Sequence, residues 1–565
     1  MKKIVFTILL TMAVSVGAFA QTAYDAWLFS ENNYEGTARS VAMGNAFTAL
    51  GGDLGGITIN PAGSAVAGYS QITLTPSLTF STNTAVGVPY NGSTNPYFQR
   101  EMKSRKVCAG IPNVGFTFNF DTGRKSGLKG LTLGFVLNQT NSWCENLYAN
   151  GTNGQTSFLA AMASDATYEI EDLNYYNPNI DPPYSKNDYM NEDAFKYMNW
   201  RNTLGYRSGM FSAYDADGQK FVGATEMILD NGNLQQAGEV DQTYGREVYG
   251  AKYEYVFNIG ANISDFIYLG FNLGVNTLTY DYTHYFKEAA CDVSLFENKF
   301  INSDGTEQST YFKNAKYRYS YSAEGTGIFG KLGVIVTPGA GFRFGATIQT
   351  PTSTTIKEQW QESAETSFTD SKFNGKAESP LGDNGRGYTF NSPWRFGLGA
   401  AYTLGKIAVI SADYEFANFG GMNYKTSRRN MSEDDFDYFT GINDDIRNSY
   451  GFAHYLRVGA EFKPMSQLAI RAGYNLNTSA QKKYYDSNSG NWEDLQSTLL
   501  HNISFGVGYD SKKSFFADLA CRHNFRTYEY IYPYSDYLAD HGIWSPEIRN
   551  IYSNWKLLLT LGWRF

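Results

Sequence analysis

From about Tyr69 to the C-terminus, the chain alternates apolar residues with small or polar ones in segments of roughly ten to fifteen residues. This period of two is typical of β-strands, whose successive side chains point to opposite faces of a sheet. In the final segment, six alternate positions from Trp555 to Phe565 are tryptophan, leucine or phenylalanine. Its two tryptophans stand eight positions apart, as do Trp394 and Tyr402 in an earlier segment. On a tilted strand that spacing covers about 20 Å in height, close to the ~25 Å apolar band of a transmembrane barrel.

The pattern predicts an all-β fold, a fourteen-stranded antiparallel transmembrane β-barrel. An even strand count places both chain ends on the same side of the barrel. The predicted strands are 69–82, 112–121, 130–140, 249–263, 266–284, 315–337, 341–360, 390–404, 406–418, 451–464, 467–480, 496–509, 514–527 and 552–565.

The connections between the predicted strands alternate between short turns and long loops. The links after the even-numbered strands are 122–129, 264–265, 338–340, Gly405, 465–466 and 510–513. The links after the odd-numbered strands run from about 15 residues to about 108 residues, the longest being 141–248. An outer-membrane barrel has tight periplasmic turns and long extracellular loops, whereas a soluble sandwich has no reason to segregate its loops in this way.

Composition favours one barrel over several soluble domains. The 565 residues are 18% charged and 16% aromatic, with 56 Gly and only 15 Pro. Such a chain is too aromatic and too weakly charged to be disordered. After residue 20, no apolar run approaches the ~18 residues that a membrane-spanning helix requires. The formal net charge of -9 argues against a nucleic-acid partner, because phosphate binding needs a concentrated basic surface.

Two segments precede the predicted barrel, which spans 69–565. Residues 1–20 have a basic start, an apolar stretch and a small-x-small motif ending at Ala20, which predicts a signal peptide for export. Residues 21–68 are rich in glycine and alanine, which permit close packing and tight turns. Because fourteen strands leave a lumen that must be filled, we expect this segment to fold back as a glycine-rich hatch. The alternative is a periplasmic tail or linker.

The motif Asn60-Pro61-Ala62-Gly63, together with 36–40 and 49–53 before it, resembles the N-terminal hatch of the FadL family of long-chain fatty-acid and hydrophobic-compound transporters. It is most similar to the branch found in Bacteroidetes. The resemblance is specific over about fifty residues and architectural over the rest. It implies a fourteen-stranded barrel with a hatch, and substrate that enters among the extracellular loops and leaves through a side gap beside a strand kink.

By the same resemblance, Asn60, Pro61, Ala62 and Gly63 belong to the gating part of the hatch, and the C-terminal Phe565 is the signal read by the barrel-assembly machinery. Pro61 has no backbone N–H to donate, which suits a segment that must not join the sheet. The ligand-pocket residues do not carry over, because the loops show no residue-level match. The unusual length of 141–248 also puts the family's route of substrate into the barrel in doubt.

Four cysteines are present, without a Cys-x-x-Cys pair. Cys108 precedes the second predicted strand and Cys144 follows the third. If these strands form a hairpin around the turn near Gly127, the two cysteines stand almost opposite each other. We therefore predict a Cys108–Cys144 disulfide, which would tether the base of the long loop and restrict the unfolded chain.

No constellation of catalytic residues stands out. The five histidines are far apart, and no zinc, metalloprotease or nucleophile-elbow spacing occurs. The segment from Gly325 to Lys331 has the spacing of a phosphate-binding loop, but Leu332 replaces the required serine or threonine and the segment falls inside a predicted strand. We expect no enzyme activity, no metal and no cofactor.

The sequence therefore predicts a multi-pass channel in the outer membrane of a Gram-negative bacterium, for passive uptake of hydrophobic or amphipathic small molecules such as long-chain fatty acids. Its expected partners are the hydrophobic ligand, outer-membrane lipid and lipopolysaccharide, and the barrel-assembly machinery. The alternative is a docking barrel for surface protein secretion or attachment, similar to type IX secretion. In that case the long loop would bind a surface protein rather than act as a substrate lid.

Overall fold

The computed structural model describes residues 22–89, 97–301, 307–385, 387–426, 431–482, 484–486, 491–493, 499–511, 514–525, 529–534 and 545–565. The predicted signal peptide, residues 1–20, lies outside the described residues. No helix in these ranges is long and apolar enough to cross a membrane.

The predicted fourteen-stranded antiparallel barrel is confirmed. Strand β14 pairs with β1 from Gln71 opposite Arg564 to Val88 opposite Glu547, which closes the sheet. The strands are β1 Gln71–Val88, β2 Met102–Asp121, β3 Leu128–Asn153, β4 Val240–Ile263, β5 Ile267–Ala290, β6 Glu307–Gly339, β7 Phe342–Gln349 with Ser353–Phe368, β8 Tyr388–Asn391 with Arg395–Leu404, β9 Ala408–Asn418, β10 Phe452–Met465, β11 Leu468–Asn477, β12 Leu500–Asp510, β13 Phe515–Phe525 and β14 Glu547–Arg564.

Short turns join the strands at one end of the barrel, which we call the turn end, and long connections join them at the other, the loop end. The turn between β4 and β5 has only a few residues, and both Ser264 and Asp265 adopt positive φ, as in the tight turns that match strand twist. The first residue of β1 and the last residues of β14 also lie at the turn end. Both termini of the barrel therefore lie on one side, as the even strand count predicts.

Strands β2 to β6 extend further toward the loop end than expected. Strand β3 continues to Asn153 and β4 begins at Val240, so the connection between them is 154–239 rather than 141–248. Strand β6 reaches 33 residues. In these extensions polar and aromatic residues occupy both faces, so the alternation on which the prediction depends is absent there.

The outer face carries the apolar side chains that the alternation assigned to it. On β14, Trp555 and Trp563 are 50% and 49% exposed, whereas the intervening Lys556 and Leu558 are buried. On β8, Leu398 is 57% exposed and Arg395 is 3% exposed. The segment 325–331 lies within β6, as predicted, and no phosphate-binding turn forms there.

Both β7 and β8 are interrupted at a proline. Pro351 and Pro393 occupy matching breaks, and Thr352 and Ser392 hold the two strands together across the break, with N–H donors at 2.9 and 3.0 Å. Proline has no N–H for the ladder. The wall therefore stays closed at this break.

The connection 154–239 folds over the loop end as a helical cap. Phe158, Leu204 and Phe211 of the cap share a buried cluster with Phe286 and Phe312 of the barrel. The α-helices within the described residues are α1 Ala23–Ser30, α2 Ala38–Ala42, α3 Phe158–Tyr176, α4 Lys186–Met190, α5 Ala194–Tyr197, α6 Trp200–Ser208 and α7 Glu433–Ser449. Short hairpins, Phe211–Ala213 with Phe221–Gly223 and Glu226–Ile228 with Leu234–Gln236, complete the cap.

Candidate functional site

Residues 22–68 contact the inward face of the wall along most of its circumference. Lys331 of β6 donates to Thr58 O at 2.7 Å, and Arg343 of β7 donates to Leu50 O at 2.8 Å. Asp413 of β9 accepts from Thr48 N at 2.7 Å. These contacts satisfy backbone groups of an irregular segment that a dry interior would otherwise leave unpaired.

Inward-facing glycines on the wall give this segment room. A Cβ at Gly333 of β6 would collide with Asn60, one at Gly345 of β7 with the backbone of Thr48, and one at Gly473 of β11 with Gly44. Gly270 of β5 and Gly459 of β10 make equally close approaches, to Pro61 and Met43. Glycine on the inner face of successive strands therefore lets the segment lie directly on the wall.

The motif 60–63 lies against strands β4 to β6. Asn60 accepts from Ala62 N at 3.0 Å, which caps the 3-10 helix Pro61–Val66, and donates to Thr48 O at 2.6 Å. Asn258 of β4 donates to Pro61 O at 3.0 Å. Ala62 is fully buried, and Gly63 packs against Gly51 of the same segment.

Charged residues on the inner wall pair with neighbours on adjacent strands. Glu415 accepts from Arg395 at 2.9 Å and from Arg457 at 3.0 Å, and Arg471 donates to Asp518 at 2.5 Å. The segment 22–68 occupies the lumen, so the ion pairs run along the wall and into the segment.

Glu35 is the most heavily paired acid of the N-terminal segment. Its carboxylate accepts from Arg522 of β13 at 2.7 Å, from Ser142 of β3 at 3.2 Å and from Lys556 of β14, and the residue is 2% exposed. Burial alone would raise the pKa of Glu35, but the charges of Lys556 and Arg522 lower it below its ordinary value. Glu35 therefore stays ionised and joins three strands.

Beside Glu35, the wall contains a seam between β2 and β3. Their ladder runs from Asp121 opposite Gly130 to Asn113 opposite Asn138 and ends there. Above that level, among the described residues, β2 pairs with β1 and β3 with β4, and the two strands do not pair with each other. The seam therefore separates 102–112 of β2 from 139–153 of β3.

Local sequence explains where the seam begins. Pro112 lies immediately before Asn113, the residue of β2 at which pairing with β3 ends, and proline has no N–H to donate to a ladder. The register of β2 with β1 also shifts, beside Pro76. At the closed end, Asn113 donates to Asn138 at 2.6 Å, and Asn138 donates to Gly55 O at 3.1 Å. These hydrogen bonds tie the base of the seam to the N-terminal segment.

A disulfide crosses the seam. The Cys108 and Cys144 sulfurs lie 1.96 Å apart, with 6.3 Å between the Cα atoms. Strand β3 continues for nine residues beyond Cys144, so the bridge lies within the wall rather than at the base of a loop. It leaves a window between Asn113 and Cys108 about 16 Å long, from five residues at ~3.3 Å each.

The N-terminal segment closes the inner side of this window. Asn33 N donates to Thr140 O at 2.6 Å, and Glu35 N donates to Gln139 O at 2.9 Å. The second contact forms an antiparallel bridge to the edge of β3. Residues 33–35 thus pair with the edge of β3 that β2 leaves unpaired.

Immediately before that stretch, helix α1 fills an aromatic chamber nearer the loop end. Trp27 and Phe29 are buried with Trp143, Tyr321, Trp360 and other aromatic residues from several strands. Trp27 stacks on Tyr450 with ring centroids 6.5 Å apart. Arg395 donates to Ser30 O at 2.8 Å, which satisfies a carbonyl at the helix C-terminus.

Two acids lie in this chamber. Glu358 of β7 accepts from Tyr321 and Tyr388, each at 2.6 Å. Asp25 of α1 accepts from Thr22 N at 2.9 Å in a capping box. The pKa of Asp25 is raised to about 7, first by burial and then by the charge of Glu358, against the lowering effect of the Thr22 hydrogen bonds.

The structure brings the predicted motif 60–63 and the N-terminal segment together inside the wall, but places Cys108 and Cys144 on the seam, away from that motif. Phe565 lies at the turn end, where its backbone pairs with Ser70 at 3.0 and 3.2 Å. Sequence reasoning missed Glu35, helix α1 and the seam. Pro76 and Pro112 inside predicted β-structure were the available signal for the seam.

No group of three or more His, Cys, Asp or Glu side chains suited to a metal ion occurs in the described part of the chain. No protein-family model matches the chain, and no curated protein sequence matches it.

Three solved structures are similar over nearly the whole chain. The P. putida toluene transporter TodX covers 95% of this chain and 99% of its own, with 13% identity and a TM-score of 0.49. A Pseudomonas aeruginosa FadL homologue covers 94% and 98%, with 10% identity and a TM-score of 0.47. The Ralstonia pickettii toluene transporter TbuX covers 95% and 100%, with 13% identity and a TM-score of 0.44.

Proposed function

We propose that the protein is an outer-membrane channel through which hydrophobic or amphipathic small molecules, such as long-chain fatty acids, enter a Gram-negative cell by diffusion. One observation carries the proposal: residues 23–35 both fill an aromatic chamber in the lumen and close a seam in the wall. A ligand that takes the place of α1 in the chamber therefore acts on the stretch that covers the seam.

The outer face supports the membrane location. Many valine, leucine, isoleucine, phenylalanine and tryptophan side chains on the outer face of the strands are 36–60% exposed, in a band with aromatic residues near both ends. Exposed apolar surface of this extent is stable against lipid and unfavourable in water. The long connections then face the cell exterior, and the turns face the periplasm.

The chamber suits an apolar ligand with a polar end. Its aromatic walls provide large apolar contact area, and the Trp360 indole N–H is buried without a hydrogen-bond partner in the part of the chain that the structure describes. Helix α1 occupies this volume with Trp27, Leu28 and Phe29. We infer that ligand and helix compete for the same aromatic surfaces.

Release of α1 would open the seam because the two are so close along the chain. Helix α1 ends at Ser30, and Glu35, which bridges to β3, is five residues further on. Five extended residues span about 16 Å, too little for α1 to leave far without pulling on Glu35. The ligand would then pass sideways through the window below the disulfide into the membrane.

In this proposal residues 60–63 form the gating part of the hatch. They lie against β4 to β6, and Asn60 donates to Thr48 O. These contacts hold the C-terminal part of residues 22–68 on the wall while helix α1 moves. Phe565, exposed at the turn end, would be the signal for the barrel-assembly machinery.

Uptake of labelled oleate and labelled toluene by a Gram-negative host lacking its own channel tests the proposal. Cells that express the protein should accumulate at least one solute faster than cells with an empty vector. Replacing Gly110 by Trp would fill the window, since a side chain there meets only Ser77 and Gln139, and should abolish the gain. Gly397→Ala, on the inner face of β8 and away from the seam, is the control. Equal uptake with and without the protein would refute the function.

A further inference from the structure

On the outer wall of β14, β1 and β2, most of the apolar band ends at one level, and Ile551 of β14, 40% exposed opposite Thr84, lies above it. Phe80 of β1 lies opposite Val107 of β2 on one side and Trp555 of β14 on the other. All three side chains are exposed, at 39%, 60% and 50%. Toward the loop end from this level, the outward positions of the same strands change character.

Three cations occupy these positions. Arg105 lies opposite Thr82, Lys103 opposite Thr84, and Arg549 opposite Val86, so they stand two, four and six residues above the Phe80 level. At ~3.3 Å per residue they lie within about 20 Å of the apolar edge along the strands. All three are exposed.

The two arginines have no acidic partner among the described residues, whereas Lys103 pairs with Glu101 at 3.2 Å. Strands β5 and β6 differ at the corresponding height. There Ile328 is exposed and outward, and within six residues above it the exposed outward charges of these two strands are the acids Glu324 and Asp281, while Arg318 and Lys287 stand ten and twelve residues above it. At this height two cations of β2 and one of β14 lie close together, whereas Lys357 of β7 lies opposite the acid Glu324.

Arginine guanidinium groups match phosphate oxygens in a paired geometry, and basic residues just beyond a hydrocarbon band are attracted to anionic headgroups. We propose that the outer face of β14, β1 and β2 binds the phosphate group of an outer-leaflet lipid through Arg105 and Arg549, with Lys103 as a further contact. The acyl chains would lie on Val107, Phe80 and Trp555 below.

This inference uses only the membrane location from the proposed function, and it does not depend on transport. Arg105 and Lys103 lie on the part of β2 that borders the seam, so the bound lipid would stand beside the window. A protein that transports nothing could still hold this lipid.

Native mass spectrometry of the purified protein in neutral detergent tests the site with three probes: dioleoyl phosphatidic acid, dioleoylglycerol and inorganic phosphate. Phosphatidic acid should bind, while the other two should bind at least tenfold more weakly. The double variant R105Q/R549Q should lose about thirtyfold in affinity for phosphatidic acid, since each basic residue at an anionic surface contributes about a fivefold effect. Arg318→Gln, an exposed outward arginine of β6, is the matched control and should bind normally.

Circular dichroism should show the same β-sheet content in all variants. Unchanged affinity in R105Q/R549Q, or an equal loss in Arg318→Gln, would overturn the site. Equal binding of dioleoylglycerol would show that only the acyl chains are recognised, and equal binding of inorganic phosphate would show that no lipid is required. Either result contradicts the proposal. Absence of oleate and toluene uptake would refute the transport function and leave this result standing.

Discussion

Glu35 accepts a hydrogen bond from Arg522 at 2.7 Å, although 487 positions separate the two residues in sequence. Lys556 pairs with the same carboxylate, and all three side chains are buried. Breaking a buried ion pair by removing one partner typically costs about 3–5 kcal/mol, because the remaining charge is left uncompensated. Glu35 therefore contributes strongly to the free energy that holds the N-terminal segment over the seam.

Replacing Glu35 by Gln should weaken this attachment by about 3 kcal/mol and raise the uptake rate of a hydrophobic solute. Hydrogen exchange of residues 31–36 should be faster in the variant at pH 7. Asp518→Asn breaks a buried pair with Arg471, 2.5 Å apart, on the wall and is the control. If E35Q and D518N showed the same exchange and the same uptake, Glu35 would have no special role at the seam.

The disulfide should limit the width of the seam and stabilise the barrel. A bridge that closes a loop of 36 residues stabilises the native state by about 3–4 kcal/mol in the chain-entropy model. The double variant C108S/C144S should unfold at lower denaturant concentration and take up bulkier solutes, while uptake of toluene changes little. Cys521→Ser, at a free cysteine of β13, should change neither property. Normal size selection in C108S/C144S would show that the bridge does not bound the window.

The seating of α1 should depend on pH through Asp25. The pKa of Asp25 is about 7 when α1 is bound in the aromatic chamber, and the ordinary value is 3.8. Between these pH values the Asp25 carboxyl is therefore protonated in the bound helix and ionised in a helix that has left the chamber. The binding of α1 in the chamber should be most stable below about pH 4, weaken as pH rises, and be least stable above pH 7. Asp25→Asn keeps a hydrogen-bond acceptor for Thr22 and should remove the dependence.

Hydrogen exchange of residues 23–30 at pH 5.5 and pH 8 measures this effect. Wild type should exchange faster at pH 8, after correction for the intrinsic exchange rate. In Asp25→Asn the corrected difference should vanish. A wild-type helix with equal protection at both pH values would contradict the raised pKa.

Inward glycines should be required for residues 22–68 to lie on the wall. A Cβ at Gly333 would collide with Asn60, so Gly333→Ala should displace residues 57–63 and increase their hydrogen exchange. Gly330→Ala is on the same strand, where an added Cβ meets Phe271 and Thr350 only at ordinary contact distance, 3.8–3.9 Å. The two variants should differ in exchange while sharing the same β-sheet content. Equal protection of 57–63 in both would show that the fit is looser than the structure indicates.

Much of the barrel was predictable because apolar residues alternate with small or polar residues along most of its strands. The faces of β8 and β14 were assigned correctly from Trp394 to Tyr402 and from Trp555 to Phe565, since exposure alternates there residue by residue. The extensions of β3 and β4 were missed because, above Thr140, polar and aromatic residues occupy both faces. The alternation arises where the two faces of a strand lie in different environments, and it is absent where both faces carry the same kinds of residue.

The site was less predictable because it depends on pairing between distant residues. Alternation within β2 and β3 says nothing of whether the two strands are bonded to each other, so the seam above Asn113 left no periodic signal. The contacts of Glu35 come from three strands, and only folding brings them together. The cysteine register, in contrast, was readable because it depended on one hairpin with a short turn.

In the proposed route, residues 33–35 leave the edge of β3 before solute passes. Glu35 and Gln139 face each other in an antiparallel bridge, a geometry that brings Cβ atoms to about 4.5–5.5 Å, so cysteines at both positions can form a disulfide. The measurement is oleate uptake by E35C/Q139C cells before and after reduction, with Glu35→Cys alone as control for the lost carboxylate and for reduction of Cys108–Cys144. The account predicts no uptake in the oxidised double variant and, after reduction, uptake equal to that of Glu35→Cys. The same uptake rate in both redox states, with the engineered disulfide verified by mass spectrometry, would contradict it.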